Sequence, residues 1–345
     1  MNFMGVAITE LLKSRPISIK ELEGKILAVD APLWIYQFLS SIRQRDGTLL
    51  TDSKGNVTSH LVGISSRVPN LLEQGLKLIF CFDGQSPDLK RKEREKRKEL
   101  KMHAQKRYEE AKAEEDLDQM KKYAARTSRL TSEMIEEAKA LLEALGVPVV
   151  ESATEAEAQA AFLVKQGEAY AVASNDADSL LFGAPRIIRN LNIVGKKKQA
   201  GAYAYKDVNP ELIELKENLA ELGLDRDQLI VLSMLVGTDY NVGGIKGIGP
   251  KKAIALTKKH KKNYKALFEE VKWPDSFDYD WKEVFDLIKN MKVSEKYTVQ
   301  FGNPDPNKLD KVLVEKHDFS GERVEKIMER LKRKTKQKGL SEFFG

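Results

Sequence analysis

Apolar positions along the first two-thirds of the chain alternate between two rhythms. Short β-rich runs at Lys25–Val29, Lys77–Phe82, Val147–Val150, Ala169–Ala173 and Arg186–Asn190 predict strands. Between them, Leu33–Ile42, Val57–Glu73, Thr131–Leu145 and Thr154–Gln166 carry apolar residues at helical spacing. The third of these starts at Thr131-Ser132-Glu133 and stops at Gly146, with Pro148 just beyond, a well-marked beginning and end. Strand and helix in alternation predict an α/β fold, a mainly parallel doubly wound sheet with helices on both faces. Leu229–Val236 is a further apolar helical run, and the stretch 275–307 reads as loops with one or two helices.

Such sheets bind ligands outside the carboxyl ends of their strands. Acids fall there repeatedly. Asp30 follows Ile26-Leu27-Ala28-Val29, and Asp83 follows Leu78–Phe82. Glu155 and Glu157 come soon after Val149-Val150, while Asp176 and Asp178 follow Tyr170–Ala173 through Ser174-Asn175. One such Asp often does no more than cap the next helix. Four strand ends in succession, two of them with paired acids, argue for a shared site. Crowded carboxylates repel one another, so the cluster implies bound cations. Magnesium takes hard oxygen ligands and keeps several waters, so a few acids per ion suffice. Two ions about 4 Å apart can activate water and stabilise both oxygens of a phosphodiester displacement. A phosphatase stays open on these residues alone, because Asp176-Ala177-Asp178 resembles an aspartyl-phosphatase motif, although late in the chain.

Composition narrows the classes. Hydrophobic residues make up 41% of the 345, enough for a core. No apolar run approaches the roughly 20 residues of a membrane helix, and nothing at the start reads as a signal peptide. The single cysteine, Cys81, lies inside an apolar run, so it reads as a buried small hydrophobe in a reducing, intracellular compartment. Four scattered histidines show no metal-ligand spacing, and no serine or cysteine nucleophile motif accompanies them.

The net charge of +6 conceals strong segregation. Leu89–Arg107 holds ten Lys/Arg and three Glu, and Tyr108–Asp118 then holds six acids and one Lys. A solvated helix pair would explain that. Yet the basic block begins just after Asp83, where cations attract a phosphate backbone and stabilise developing charge. Downstream, Gly237-Thr238-Asp239-Tyr240 leads into Gly243-Gly244-Ile245-Lys246-Gly247-Ile248-Gly249-Pro250-Lys251-Lys252. Glycines allow close backbone approach and a helix start offers N–H groups to phosphate, a helix–hairpin–helix pattern that grips duplex DNA without reading sequence. Arg323–Lys338 carries eight basic residues and two acids. Beyond it, Leu340, Phe343 and Phe344 stand at i, i+3 and i+4, the spacing of a segment that folds into a partner's groove.

Together these motifs resemble the archaeal flap endonucleases, XPG-type structure-specific 5′ nucleases. The resemblance runs from Met4-Gly5-Val6 to the tail. It is carried by Val29-Asp30-Ala31 with Ile35-Tyr36-Gln37-Phe38, Phe82-Asp83-Gly84, Glu155-Ala156-Glu157-Ala158, Asn175-Asp176-Ala177-Asp178, Gly237-Thr238-Asp239-Tyr240 and Gly247-Ile248-Gly249-Pro250-Lys251. It implies removal of 5′ flaps in Okazaki-fragment maturation and repair, with 5′–3′ exonuclease activity. Asp30, Asp83, Glu155 and Glu157 would serve mainly one magnesium ion, and Asp176, Asp178 and Asp239 the other, with manganese able to substitute. Lys90 and Arg97 would steer the scissile phosphate from the base of a helical arch, and Tyr36 would stack on a nucleobase; from the pattern alone Tyr36 reads as core. Gly5, Glu155, Gly237, Asp239, Lys246, Gly247, Gly249, Lys251 and Lys252 complete the DNA-binding set, with a potassium ion at the hairpin. Gln337, Leu340, Phe343 and Phe344 match the box that binds a PCNA-type sliding clamp. The family's mature chains usually begin at the glycine after the initiator, whereas here Met1-Asn2-Phe3 precede Met4-Gly5.

The organisation expected is a single nuclease domain over 1–330, monomeric. Its N-terminal region is about 1–125 with the arch at about 85–125, and its internal region is about 126–260 with the hairpin at about 237–260. A flexible tail would follow at 331–345. A related 5′ exonuclease or junction resolvase is the rival enzyme reading, and a non-catalytic DNA-binding clamp adaptor the rival of another class.

Overall fold

The computed structural model describes residues 8–114, 116–124, 126–192, 196–198, 205–207 and 209–341. Nine strands lie among them: β1 (Arg15–Pro16), β2 (Ile26–Asp30), β3 (Lys77–Phe82), β4 (Val149–Glu151), β5 (Ala171–Ala173), β6 (Arg186–Arg189), β7 (Lys196–Lys198), β8 (Tyr205–Asp207) and β9 (Glu211–Glu214). The seven-stranded sheet runs β1-β9-β6-β5-β2-β3-β4, and β7 pairs with β8 in a separate ribbon. From β6 to β4 all neighbours are parallel, whereas β9 runs antiparallel to both β6 and β1. That antiparallel edge is the part of the sheet the apolar pattern did not reveal.

β2 and β3 are interior strands covered on both faces, which is why they read as continuous apolar runs rather than alternating ones. Their side chains still divide by the period of two. Ala28, Ile79 and Cys81 enter one core with Val172 and Ile187. Leu27, Val29, Leu78, Phe80 and Phe82 enter the other with Trp34, Leu61, Val68 and Leu141. Cys81 is buried and unpaired, as its setting predicted.

The helices are α1 (Ala31–Ser41), α2 (Ser59–Glu73), α3 (Arg91–Ala113), α4 (Leu117–Ala124), α5 (Ser132–Ala144), α6 (Ala156–Lys165), α7 (Asp178–Leu181), α8 (Leu215–Leu222), α9 (Arg226–Val236), α10 (Pro250–His260), α11 (Tyr264–Glu270), α12 (Trp281–Lys289), α13 (Pro306–Leu309) and α14 (Gly321–Ser341). Thr131 caps α5 as predicted, accepting the Met134 N–H at 3.3 Å. In the arch, α3 packs on α4, and Ala104, Ala111, Met120 and Ala124 supply its small buried seam. Elsewhere α3 is mostly charged, with Leu100 and Met102 exposed among the Lys, Arg and Glu residues, which suits a solvated helix.

The backbone stays helical through Ser341, so Gln337 and Leu340 lie on α14. Val324 and Ile327 anchor its start in the core, and the Lys, Arg and Gln residues that follow are good helix formers. Gly5, Phe343 and Phe344 lie outside the described residues.

Connectivity places the site. From β2 the chain moves outward to β3 and β4, then returns through α6 to β5 on β2's other side. The order therefore reverses between β2 and β5. A crevice opens above the carboxyl ends at such a switch point.

Candidate metal centre and nucleic-acid interface

Each acid is fixed by its own backbone. Asp30 ends β2 and also caps α1, its Oδ1 accepting the Leu33 N–H at 3.1 Å. The capping role and the site role coincide in one side chain. Asp83 Oδ1 accepts the Ala156 N–H at 2.8 Å, which ties the exit of β3 to the start of α6. Gly84 makes that approach possible: its N–H meets the Thr154 carbonyl at 2.6 Å, and a Cβ there would lie 2.0 Å from the Ser152 carbonyl oxygen. Glu155 and Glu157 follow at the head of α6.

Asp176 Oδ1 accepts the Asp178 N–H at 3.3 Å as the chain turns into α7. Beneath this loop lies an amide knot that pattern reading missed. Asn175 and Asn192 both donate to Gln37 Oε1, at 3.0 and 2.7 Å, and Asn175 Oδ1 accepts the Asn190 N–H at 2.6 Å. Asp239 is set by the turn after α9, where Thr238 donates to Asn241 Oδ1 at 2.6 Å and Asn241 donates to the Met234 carbonyl at 2.7 Å.

Lys90 and Arg97 lie among these acids. Lys90 Nζ is 2.6 Å from Glu155 and 3.3 Å from Asp239, and Arg97 Nη2 is 3.2 Å from Asp239. Burial alone would lower the Lys90 ammonium, but Glu155 and Asp239 outweigh it and the net shift is upward. Burial, then the Asp83 charge, pushes Asp30 up to about 7. Glu157 rises well above the usual carboxylate range through burial and then Asp176, Asp30 and Asp178, and Asp176 rises through burial and then Asp239. These mutual shifts show that the acids of four strand ends share one electrostatic site.

The donor set is all oxygen and anionic, which suits magnesium rather than a softer metal. Among the described residues no three of the acids close into a ready-made cage. The ensemble fits ions that retain waters and draw the last ligands inward.

A carboxyl group held above its unfolded value stabilises the fold when protonated. The Asp30 contribution is complete below roughly pH 4 and is lost as pH rises through about 7. Metal-free protein is therefore expected to lose thermal stability across that interval, and saturating magnesium to remove most of the loss. Melts with and without magnesium check this. A decline of equal size in both series would mean that magnesium does not bind these acids.

Beside the acids runs a cleft of about 530 Å³, lined by Tyr36, Asp83, Lys90, Arg94, Arg97 and Lys101 among others. Tyr36 is half-buried on its wall, with Lys101 Nζ 5.0 Å from its ring centre, so the core placement read from the pattern alone is wrong. Trp34, Ile35 and Phe38 fill the core face of α1 instead.

The hairpin joins α9 to α10. Gly244 has φ +60°, and a Cβ on it would meet the Val236 carbonyl carbon at 2.3 Å, so the loop folds back on α9 only with glycine here. Lys246, Lys251 and Lys252 are exposed with Gly247 and Gly249. Gly249 caps α10, its carbonyl accepting the Ala253 N–H at 2.9 Å. The first N–H groups of α10 thus remain outside the helix's own bonding.

The flap endonuclease 1 of Thermococcus onnurineus is 46% identical over 345 residues, covering 99% of each chain. This chain belongs to the flap endonuclease family. Among solved structures, flap endonuclease-1 from Methanococcus jannaschii matches with a TM-score of 0.75 and 38% identity, covering 97% of this chain and 100% of that one. The catalytic core of Rad2 in complex with a DNA substrate matches at 0.67 and 26% identity, covering 92% and 96%. Family models match as well, the XPG N-terminal domain over residues 4–104 and the XPG I-region over 146–239. The first spans Asp30, Tyr36, Asp83, Lys90 and Arg97, and the second spans Glu155, Glu157, Asp176, Asp178 and Asp239. As a flap endonuclease family member the protein is a nuclease of DNA replication and repair, in a family whose enzymes are metal-dependent. No helix among its described residues is long and apolar enough to cross a membrane.

Proposed function

We propose that the protein removes 5′ flaps by magnesium-dependent phosphodiester hydrolysis at the acid cluster, with Asp30, Asp83, Glu155 and Glu157 holding one ion and Asp176, Asp178 and Asp239 the other. The observation that carries this reading is the gathering of acids from four parallel strand ends, with two arch cations already paired to them. Magnesium, once bound, would supply an activated water and charge stabilisation for the attacking and leaving oxygens, and manganese would replace it. Lys90 and Arg97 exchange their acid partners for the scissile phosphate. Tyr36, on the same cleft wall, stacks on a base near the cut. The hairpin residues hold the duplex through its backbone, with a potassium ion at the hairpin, and Gly5 belongs to the same DNA-binding set.

In this reading the nuclease domain spans 1–330, the enzyme works as a monomer inside the cell, and Gln337, Leu340, Phe343 and Phe344 bind a sliding clamp. A panel of 5′-flap, blunt-duplex and four-way-junction oligonucleotides, each with and without magnesium, tests it. Preferred cutting of the junction would make the enzyme a resolvase, and no cutting at all would leave a DNA-binding adaptor.

Two consequences are separable. Lys251→Ala with Lys252→Ala is expected to weaken binding to every duplex-containing substrate alike and to flatten the salt dependence by up to about two units. An unchanged slope would show that the hairpin does not touch phosphates. Phe343→Ala with Phe344→Ala is expected to abolish stimulation by a sliding clamp while clamp-free cleavage persists. Titration of the clamp with a peptide spanning residues 333–345 checks the contact directly, and absence of binding removes the clamp from the reading.

A further inference from the structure

Lys90, Glu93 and Arg97 stand at helical spacing at the base of α3 and share one face. Two are cations, as a phosphate site requires. The third is an acid, fully buried at 0% exposure, in the wall of a cleft already crowded with carboxylates. Burying a charge there is costly unless it is paired. Arg97 is the partner: its Nε meets Glu93 Oε1, while its Nη2 reaches Asp239 at 3.2 Å. Neither Glu93 oxygen accepts a hydrogen bond from a described group, so among the described residues the ion pair with Arg97 is what offsets its charge.

The geometry points to Glu93 as a positioning residue for Arg97, holding its Nε so that its terminal Nη nitrogens face the scissile phosphate. The inference rests on the flap-cutting role proposed above for Arg97. The Arg97 side chain is 44% exposed, so without an anchor it would sweep the mouth of the cleft. A planar guanidinium carries five N–H donors in a fixed fork, and this arrangement assigns the Nε end to the protein and leaves the terminal nitrogens for the substrate. When a phosphate takes the place of Asp239, Glu93 keeps its hold and the rotamer need not be found again. A surface i,i+4 pair that only strengthens the helix would not be buried in this way.

The test compares Glu93→Gln, Glu93→Asp, Arg97→Ala and the double variant Glu93→Gln/Arg97→Ala in single-turnover cleavage of a 5′-flap duplex with saturating magnesium. Glu93→Gln is expected to lower the rate about tenfold to a hundredfold, with flap affinity within about twofold of the parent. Glu93→Asp, which keeps the charge but shortens the reach, is expected to fall between. In the Arg97→Ala background Glu93→Gln should have no further effect on rate, and it should raise the melting temperature because it removes an unpaired buried charge. A parental rate in Glu93→Gln, or the same rate loss in both backgrounds, overturns the inference. So does a melting temperature lowered equally in both, which would mark Glu93 as a purely structural acid. A parent that cuts no flap refutes the functional reading instead, and the melting comparison still decides whether Glu93 holds Arg97.

Discussion

Asp178→Ala is expected to bind 5′-flap DNA within about threefold of the parent and to cut it at least about 10³ times more slowly, a loss on the order of 4 kcal/mol in transition-state stabilisation. The change is local. Asp178 begins α7, and its N–H, which donates to Asp176 Oδ1, survives replacement by alanine. Alanine also favours the helix. What disappears is one buried carboxylate from a site that needs oxygen ligands. No cation is lost, so nothing that attracts a phosphate backbone is removed. Calcium gives a parallel test on the parent, because its looser coordination should support binding without cleavage. Single-turnover assays beside equilibrium binding measure both arms. Cutting by Asp178→Ala within tenfold of the parent would refute the assignment of this acid to a metal.

Lys90→Ala combined with Arg97→Ala is expected to move two quantities in opposite directions. These cations sit directly on Glu155 and Asp239, so they compete with any metal for the same oxygens. Removing them should tighten magnesium binding, read as a thermal shift reached at lower magnesium concentration. Cleavage should nevertheless fall by roughly 10²–10³-fold, because charge developing on the phosphate loses its fixed counter-charges. Flap affinity should drop only severalfold, since the rest of the basic α3 face and the hairpin lysines remain. Loss of affinity in proportion to rate would reduce the two residues to an electrostatic landing pad.

The sequence disclosed the parallel core of the sheet because β2 and β3 are covered on both faces and so are apolar without interruption. It disclosed the acids for a related reason: strand ends in parallel sheets face one way, so Asp30, Asp83, Glu155 and Asp176 share an edge whatever the loops do. β1 and β9 were hidden. Arg15-Pro16 is too short and polar to read as a strand, and it becomes one only against Glu211–Glu214, far along the chain. Tyr36 was misplaced by pattern because α1 is apolar around most of its circumference, and burial has to be decided by what α3 leaves open. Glu93 was visible as an acid inside a basic block, three residues after Lys90 and four before Arg97. Its significance needed the third dimension, since spacing alone cannot separate a surface ion pair from a buried anchor. The Gln37–Asn175–Asn192 knot had no signal in a single sequence, as amides distant in the chain carry no periodicity.

The strand order has a consequence for synthesis. Leu27 on β2 pairs with Leu78 on one side and with Ala171 on the other, and Arg15 waits for Leu212. A chain emerging from the ribosome can therefore cover one edge of β2 early, while the other stays bare until β5 is made. An apolar strand with an open edge is an invitation to mispairing with other chains. The same delay postpones the repulsion among the acids, because Asp176, Asp178 and Asp239 arrive only with or after β5. The polypeptide can thus pair β2 with β3, and β3 with β4, before the acids that follow β5 join those already made.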